Sequence, residues 1–107
     1  MYGVLVQFPA EAPLSTEQCR QRWEAIAPMF EKEPGFVHKA FLRSPDGTTW
    51  GGFYLWQSRE AAEAYYTPEW RQRMSERYGA EPSVTFFEVP AVAGASVRPG
   101  LEVAPSR

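Results

Sequence analysis

The sequence predicts an α+β protein, a ferredoxin-like βαββαβ protomer whose four strands form one antiparallel sheet. Three observations support this fold class. Strand-like and helix-like segments follow one another in that order, a turn motif joins the second strand to the third, and the strands carry apolar residues at both parities. With 107 residues, the chain has the length of one domain with a single core.

The first strand and the first helix have clear boundaries. Residues 2–8 are rich in β-branched and aromatic side chains, and Pro9 ends the run. Ser15 followed by Gln18 is a capping box, which predicts the start of a helix. Apolar residues then recur at helical spacing at Cys19, Trp23, Ile26, Ala27 and Phe30. Pro28 should tighten the last turn of this helix, because proline removes a backbone donor.

The remaining elements are two strands joined by a turn, a broken helix and a last strand. Residues 36–44 and 48–56 are the two strands that flank the Pro-Asp-Gly turn. Ser58 and Thr67 are each followed by good helix formers and are expected to cap the two helical pieces. Residues 82–90 are the fourth strand.

The composition is that of an ordinary soluble globular protein, and we expect the protein to be cytoplasmic. A net charge of −2 provides no basic surface for nucleic acid or membrane, and no run of about 18 uncharged apolar residues is present. One cysteine and one histidine leave no cluster for zinc, so a metal site made by the protein alone would need carboxylates, and we expect no metal. The sequence also has no glycine-rich phosphate loop, and no cofactor is expected. We expect a single domain over residues 1–90 and a poorly ordered tail over residues 91–107.

The turn between the second and third strands determines which side chains share a face. The motif SPDGT, residues 44–48, suits a type I turn that pairs its first residue with its last. A two-residue turn centred on the Asp-Gly pair would shift every partner by one and place His38 beside Leu55. On the favoured register the facing pairs are Leu42 with Trp50, Ala40 with Gly52, His38 with Tyr54, and Phe36 with Trp56.

On this register, a gap in a row of large aromatic side chains predicts a pocket. Ala40 opposite Gly52 is a small pair flanked by aromatics. His38 would act as a general base near neutral pH, and Tyr54 would donate to a developing oxyanion. The other substrate-binding residues that we expect are Phe36, Trp50, Trp56, Tyr65, Tyr66 and Trp70. Two alternatives stay open: His38 has a structural role, or the paired glycines permit only a bulge or the coiling of the sheet.

The strands also predict a partner. Apolar residues at both parities indicate that both faces of the sheet are covered. The two helices account for one face. We therefore expect a second copy of the chain on the other face, which makes the protein a homodimer.

Several short motifs give the chain a family resemblance over about residues 2–90. They are PGF at residues 34–36, GGFYLW at 51–56, SREAAEAYY at 58–66 and FFEVP at 86–90, together with APMF at 27–30. With these motifs the chain resembles the YdhR-like family of putative monooxygenases, within the dimeric α+β barrel superfamily. The resemblance implies a ferredoxin-like protomer that pairs through its sheet into a dimeric barrel.

The resemblance also implies an activity. The wider superfamily includes haem-degrading enzymes and cofactor-independent monooxygenases that act on polycyclic phenols. In the latter the deprotonated substrate passes an electron to oxygen, so the protein supplies only an apolar cavity, a base and oxyanion donors. The implied function is a cofactor-independent monooxygenase-like enzyme for a small aromatic or quinone-type substrate. The alternative is a dimeric module that binds a small apolar ligand, or acts in a stress response, without catalysis.

Overall fold

The computed structural model describes residues 1–94. They form one four-stranded antiparallel sheet in the order β2-β3-β1-β4. The elements in chain order are β1 (Tyr2–Pro9), α1 (Thr16–Ile26), a 3₁₀ helix (Ala27–Lys32), β2 (Phe36–Arg43), β3 (Thr49–Trp56), α2 (Arg59–Tyr65), α3 (Pro68–Tyr78) and β4 (Ser83–Glu88). The predicted α+β fold class is confirmed. Most of the predicted tail, residues 95–107, lies outside the described residues.

The helices begin at the caps that the sequence predicts. The Ser15 hydroxyl accepts the backbone N–H of Gln18 at 3.1 Å, and the Gln18 side chain accepts the backbone N–H of Ser15 at 2.9 Å. The side chains of Ser58 and Thr67 cap α2 and α3. α1 ends two residues before Pro28, and the chain continues as the 3₁₀ helix because the proline cannot donate to the α-helical ladder.

The main core lies between the helices and one face of the sheet, which we call the helix face. Its buried residues are Val4, Val6, Phe36, Tyr54, Trp56, Ala62, Tyr66 and Trp70. Trp56 Nε1 donates to the Tyr66 hydroxyl at 3.1 Å, so these two buried polar groups pair with each other. This face is therefore closed by side chains of the same chain.

The opposite side, which we call the open face, carries the other parity of each strand. Its large apolar residues are Leu5, Leu42, Phe53, Leu55 and Phe87. Phe87 is 45% exposed. The apolar residues at both parities thus belong to two different surfaces, of which the helices cover one.

The pairing of β2 with β3 corrects the favoured register by one residue. His38 lies opposite Leu55, and Lys39 lies opposite Tyr54. His38 and Tyr54 therefore point to opposite faces of the sheet, and their predicted pairing is wrong. The pairs that replace the other predictions are Ala40 with Phe53, Phe41 with Gly52, Leu42 with Gly51 and Arg43 with Trp50. The predicted pair of Phe36 with Trp56 is confirmed, because an irregularity between Phe36 and His38 restores its register.

The turn explains the shift. Gly47 N–H donates to the Ser44 carbonyl at 2.8 Å with Gly47 at a φ of 78°, which is the predicted type I turn with a left-handed glycine. However, Ser44 N–H donates to the carbonyl of Thr49, so Thr48 belongs to the loop. The Asp46 carboxylate holds Thr48 there, since it accepts its N–H at 3.0 Å and its hydroxyl at 2.8 Å. These hydrogen bonds lower the pKa of Asp46 to about 2.

Residues 1–94 contain no helix long and apolar enough to cross a membrane. Nor do they bring three His, Cys, Asp or Glu side chains together as metal ligands. Cys19 is buried and forms no disulfide within these residues.

Candidate functional site

Lys39 is a lysine placed on the helix face of the sheet, among apolar side chains. It lies in the middle of β2, opposite Tyr54, and its side chain is only partly exposed. The stem of the lysine passes over Gly52, where a Cβ would come within 2.7 Å of Lys39 Cε. Gly52 therefore leaves room for the lysine.

Three aromatic rings enclose the Lys39 amine. Its Nζ lies 3.8 Å from the ring centroid of Phe30, 4.1 Å from that of Phe41 and 4.4 Å from that of Tyr54. Within residues 1–94, the amine takes part in no ion pair and no hydrogen bond. Ring faces attract a cation, but removal from water disfavours it more strongly. Burial lowers the pKa of Lys39 to about 7, so a large fraction of the amine is neutral near that pH.

Tyr54 brings a phenol next to this amine. The side chain is 5% exposed, and its ring lies 5.9 Å from that of Tyr65 and 5.5 Å from that of Tyr66. Burial raises the pKa of Tyr54 well above its usual value, and the neighbouring Tyr65 phenol adds to the shift. Tyr54 thus stays protonated at neutral pH and can act as a hydrogen-bond donor.

Two cavities lie along β2, which is an edge strand of the sheet. The first, of about 320 Å³, is lined by Ala27, Phe30, Glu31, Phe36, Val37, His38, Lys39 and Phe41. We call it the Lys39 cavity. The second, of about 470 Å³, includes Cys19, Trp23, Arg43 and Pro45 in its lining. Phe41 lines both cavities, so one aromatic side chain borders them both.

The structure brings together most of the predicted substrate-binding residues. Tyr54 shares one buried aromatic cluster with Phe36, Trp56, Tyr65, Tyr66 and Trp70. Trp50 lies on the same face, but it packs edge-on against Trp23 at 5.4 Å and is not part of that cluster. Gly52 lies beside Tyr54 on this face. Ala40 and His38 are separated from Tyr54, because Ala40 is exposed opposite Phe53 and His38 lies opposite Leu55. His38 still lines the Lys39 cavity.

Sequence reasoning missed Lys39 and the two rings beside it. The helical spacing predicts Phe30 only as a core residue of the first helix, and the favoured register indicates no role for Phe41 or Lys39. A signal was available in the alternative register, which puts a lysine opposite Tyr54 and at the same parity as Phe41. A lysine at a core-facing position of a strand is rare enough to indicate a functional role.

One family model matches most of the chain. It is described as "Putative mono-oxygenase ydhR" and matches residues 4–96. The chain belongs to this family. No curated protein matches the sequence significantly.

Solved structures of similar fold extend this comparison. A monooxygenase from the gene ActVA-Orf6 of Streptomyces coelicolor, in complex with the ligand nanaomycin D, is 20% identical with a TM-score of 0.60, and the match covers 89% of this chain and 92% of that one. SnoaB, a cofactor-independent oxygenase from Streptomyces nogalater, is 16% identical with a TM-score of 0.56, over 85% and 94%. NE2512, a protein of unknown function from Nitrosomonas europaea, is 14% identical with a TM-score of 0.64, over 89% and 94%. At these identities the likeness shows the fold alone.

Proposed function

We propose that this family member is a cofactor-independent monooxygenase in which Lys39 is the base. The observation that carries the proposal is a lysine amine, with a pKa of about 7, enclosed by three rings at the wall of a cavity. A general base is most effective when its pKa lies near the working pH. The family description and the two Streptomyces enzymes of similar fold support oxygenation as the reaction class.

The reaction needs a substrate that supplies its own electrons. We propose an aromatic compound with a methylene or phenol that is acidic because its anion is delocalised. Neutral Lys39 takes the proton, and Tyr54 donates a hydrogen bond to the oxyanion. The carbanion passes one electron to O₂, the two radicals join in a C–O bond, and protonated Lys39 returns its proton to the peroxide oxygen. The resulting peroxide loses water, so a CH₂ group and O₂ give C=O and H₂O without an added reductant.

The cavities suggest the size and shape of this substrate. The Lys39 cavity, at about 320 Å³, is at the low end of the roughly 300–1,000 Å³ of small-molecule sites. Phe41 lines the second cavity as well, and there Trp23 adds a further aromatic side chain to the lining. A flat compound of two or three rings is therefore the proposed substrate, with its acidic group at Lys39 and its far ring toward Trp23.

We also propose that the working form is a homodimer. The open face carries large apolar residues that the helices do not cover, and Phe87 is 45% exposed on it. Leu5, Leu42 and Phe53 are partly exposed on the same face. Apolar surfaces that a chain leaves uncovered mark interaction sites, and symmetric homodimers are the commonest assemblies. A second copy packed on this face would leave the Lys39 site of each protomer on its outer side.

Oxygen uptake tests the proposal. With anthrone-type substrates, which have a methylene between two aromatic rings, we expect uptake that matches product formation mole for mole. Lys39→Met and Tyr54→Phe should each lower kcat by about 100-fold or more, as is typical for a lost base and a lost oxyanion donor. Lys32→Met is the matched control, because Lys32 is the chain's other lysine and is exposed.

His38→Ala separates this proposal from the base predicted from the sequence. If Lys39→Met keeps full activity while His38→Ala loses it, the assignment of Lys39 is wrong. If no phenolic or anthrone-type substrate gives uptake and native mass spectrometry finds a small molecule retained unchanged, the protein is a ligand-binding module.

A further inference from the structure

We infer a second reactivity of the same cavity: the Lys39 amine condenses with carbonyl groups of aromatic aldehydes to form an imine. The inference uses the amine of the proposed function but needs neither oxygen nor an acidic substrate. Imine formation can therefore be tested independently of the monooxygenase reaction.

The surroundings of Lys39 leave its nitrogen available. The amine has no ion pair or hydrogen bond within residues 1–94, and it lies at the wall of the Lys39 cavity. Its stem and the Tyr54 ring both lie against Gly52, where a Cβ would meet Lys39 Cε at 2.7 Å and Tyr54 Cε1 at 3.2 Å. A desolvated lysine in an apolar pocket is a typical activated amine nucleophile.

Imine formation requires only the amine and the aldehyde, and it releases one water molecule. Neutral Nζ attacks the carbonyl carbon, and one of its protons moves to the oxygen, which gives a carbinolamine. Loss of the hydroxyl together with the second N–H proton then releases water and forms the C=N bond. The titratable groups around the amine are Glu31 and His38 in the cavity wall and Tyr54 across the strand pair.

The cavity also indicates which carbonyl compounds should enter. Phe30, Phe36 and Phe41 are three of its walls, so an aromatic ring is a better fit than a short aliphatic chain. Glu31 is exposed at the same cavity and adds a negative charge there. An uncharged aromatic aldehyde should therefore react faster than an anionic one.

Reductive trapping tests the inference. The folded chain is incubated near pH 7 with benzaldehyde and cyanoborohydride, and peptide mapping measures benzylation at the chain's two lysines. We expect Lys39 to be modified at least about tenfold faster than exposed Lys32, because its lower pKa leaves far more neutral amine. Benzaldehyde should also outpace 4-carboxybenzaldehyde at Lys39.

Both lysines are compared in the same molecules, so the result does not depend on a variant that folds. In urea the preference for Lys39 should disappear, which assigns it to the fold. Equal or faster modification of Lys32 in the folded chain overturns the inference. Since oxygen uptake is not measured, this failure is distinct from a failure of the proposed monooxygenase.

Discussion

The Nζ atom of Lys39 lies 4.4 Å from the centroid of the Tyr54 ring, and the two residues face each other across β2 and β3. Burial shifts the pKa values of the two in opposite directions relative to their usual values, which brings Lys39 to about 7 and takes Tyr54 well above 10.0. One group can therefore accept a proton near neutral pH while the other keeps its own. This division is what the proposed function requires of a base and an oxyanion donor.

Lys39 should make the stability of the protein depend on pH. Its pKa is about 7 when folded and 10.5 in its ordinary state, so between these values the unfolded chain holds a proton that the folded chain has released. The free energy of unfolding should then rise with pH, by at most about 1.4 kcal/mol per unit. Below pH 7 both states are protonated and the cost of the buried charge is fully present.

Urea unfolding of the native chain and Lys39→Met measures this effect. We expect the variant to be more stable by about 1 kcal/mol or more near pH 6, with an advantage that shrinks toward pH 9. Lys32→Met should give a difference that does not change with pH, because Lys32 is exposed. A constant difference for Lys39→Met would show that the amine is hydrated.

The paired glycines of β3 should respond differently to alanine. A Cβ on Gly51 would overlap the carbonyl oxygen of Val6, and backbone held in the β1–β3 ladder cannot yield. Gly51→Ala should cost at least about 2 kcal/mol of unfolding free energy. At Gly52 the nearest atom is Lys39 Cε, near the end of a flexible side chain, so Gly52→Ala should cost about 1 kcal/mol.

The same pair tests the site. Gly52→Ala should displace Lys39 and reduce selective benzylation of this lysine while the chain remains folded. Thermal unfolding and the peptide map are measured on both variants. If Gly52→Ala proves the more destabilising of the two, the lysine stem is held more rigidly than its position implies.

Removing the Tyr66 hydroxyl should lower the free energy of unfolding more than removing a tyrosine hydroxyl that makes no hydrogen bond. Tyr66→Phe leaves the buried Trp56 Nε1 without its acceptor, and an unsatisfied buried donor costs about 1–3 kcal/mol. Tyr78→Phe is the matched control: this residue stacks on Phe8 at 3.9 Å, and its hydroxyl makes no hydrogen bond within residues 1–94. Urea unfolding that gives equal losses for the two variants would contradict the expectation.

Local sequence signals were sufficient to predict the fold, whereas the predicted site depended on the register between β2 and β3. The caps at Ser15, Ser58 and Thr67 each act within three residues, so the sequence around them is sufficient. The β2–β3 register depends on whether Thr48 joins the strand or the loop. The Asp46 carboxylate decides this, and one residue of shift exchanges the two faces of a strand.

The favoured register therefore placed His38 opposite Tyr54, a position that Lys39 occupies in the structure. Most of the aromatic cluster was predicted despite this error, because its members other than Phe36 come from β3 and from the α2–α3 segment, whose positions do not depend on the turn. The burial of Lys39 is not predicted by such local signals, since it results from contacts with Phe30 and Tyr54, which are distant in sequence. Contacts of this kind arise only from the tertiary packing.

The proposed dimer should depend on the apolar residues of the open face. Phe87 on β4 and Met29 on the 3₁₀ helix are both exposed apolar residues, at 45% and 66%. Only Phe87 lies on the open face, opposite Gly3 of β1.

Phe87→Glu should therefore convert a dimer into monomers, because a charge buried in an apolar interface costs several kcal/mol. Met29→Glu introduces the same charge outside the open face and should leave the dimer intact. Sedimentation velocity measures both. A native chain that sediments as a monomer would overturn the proposed assembly, and dissociation of both variants would place the interface elsewhere.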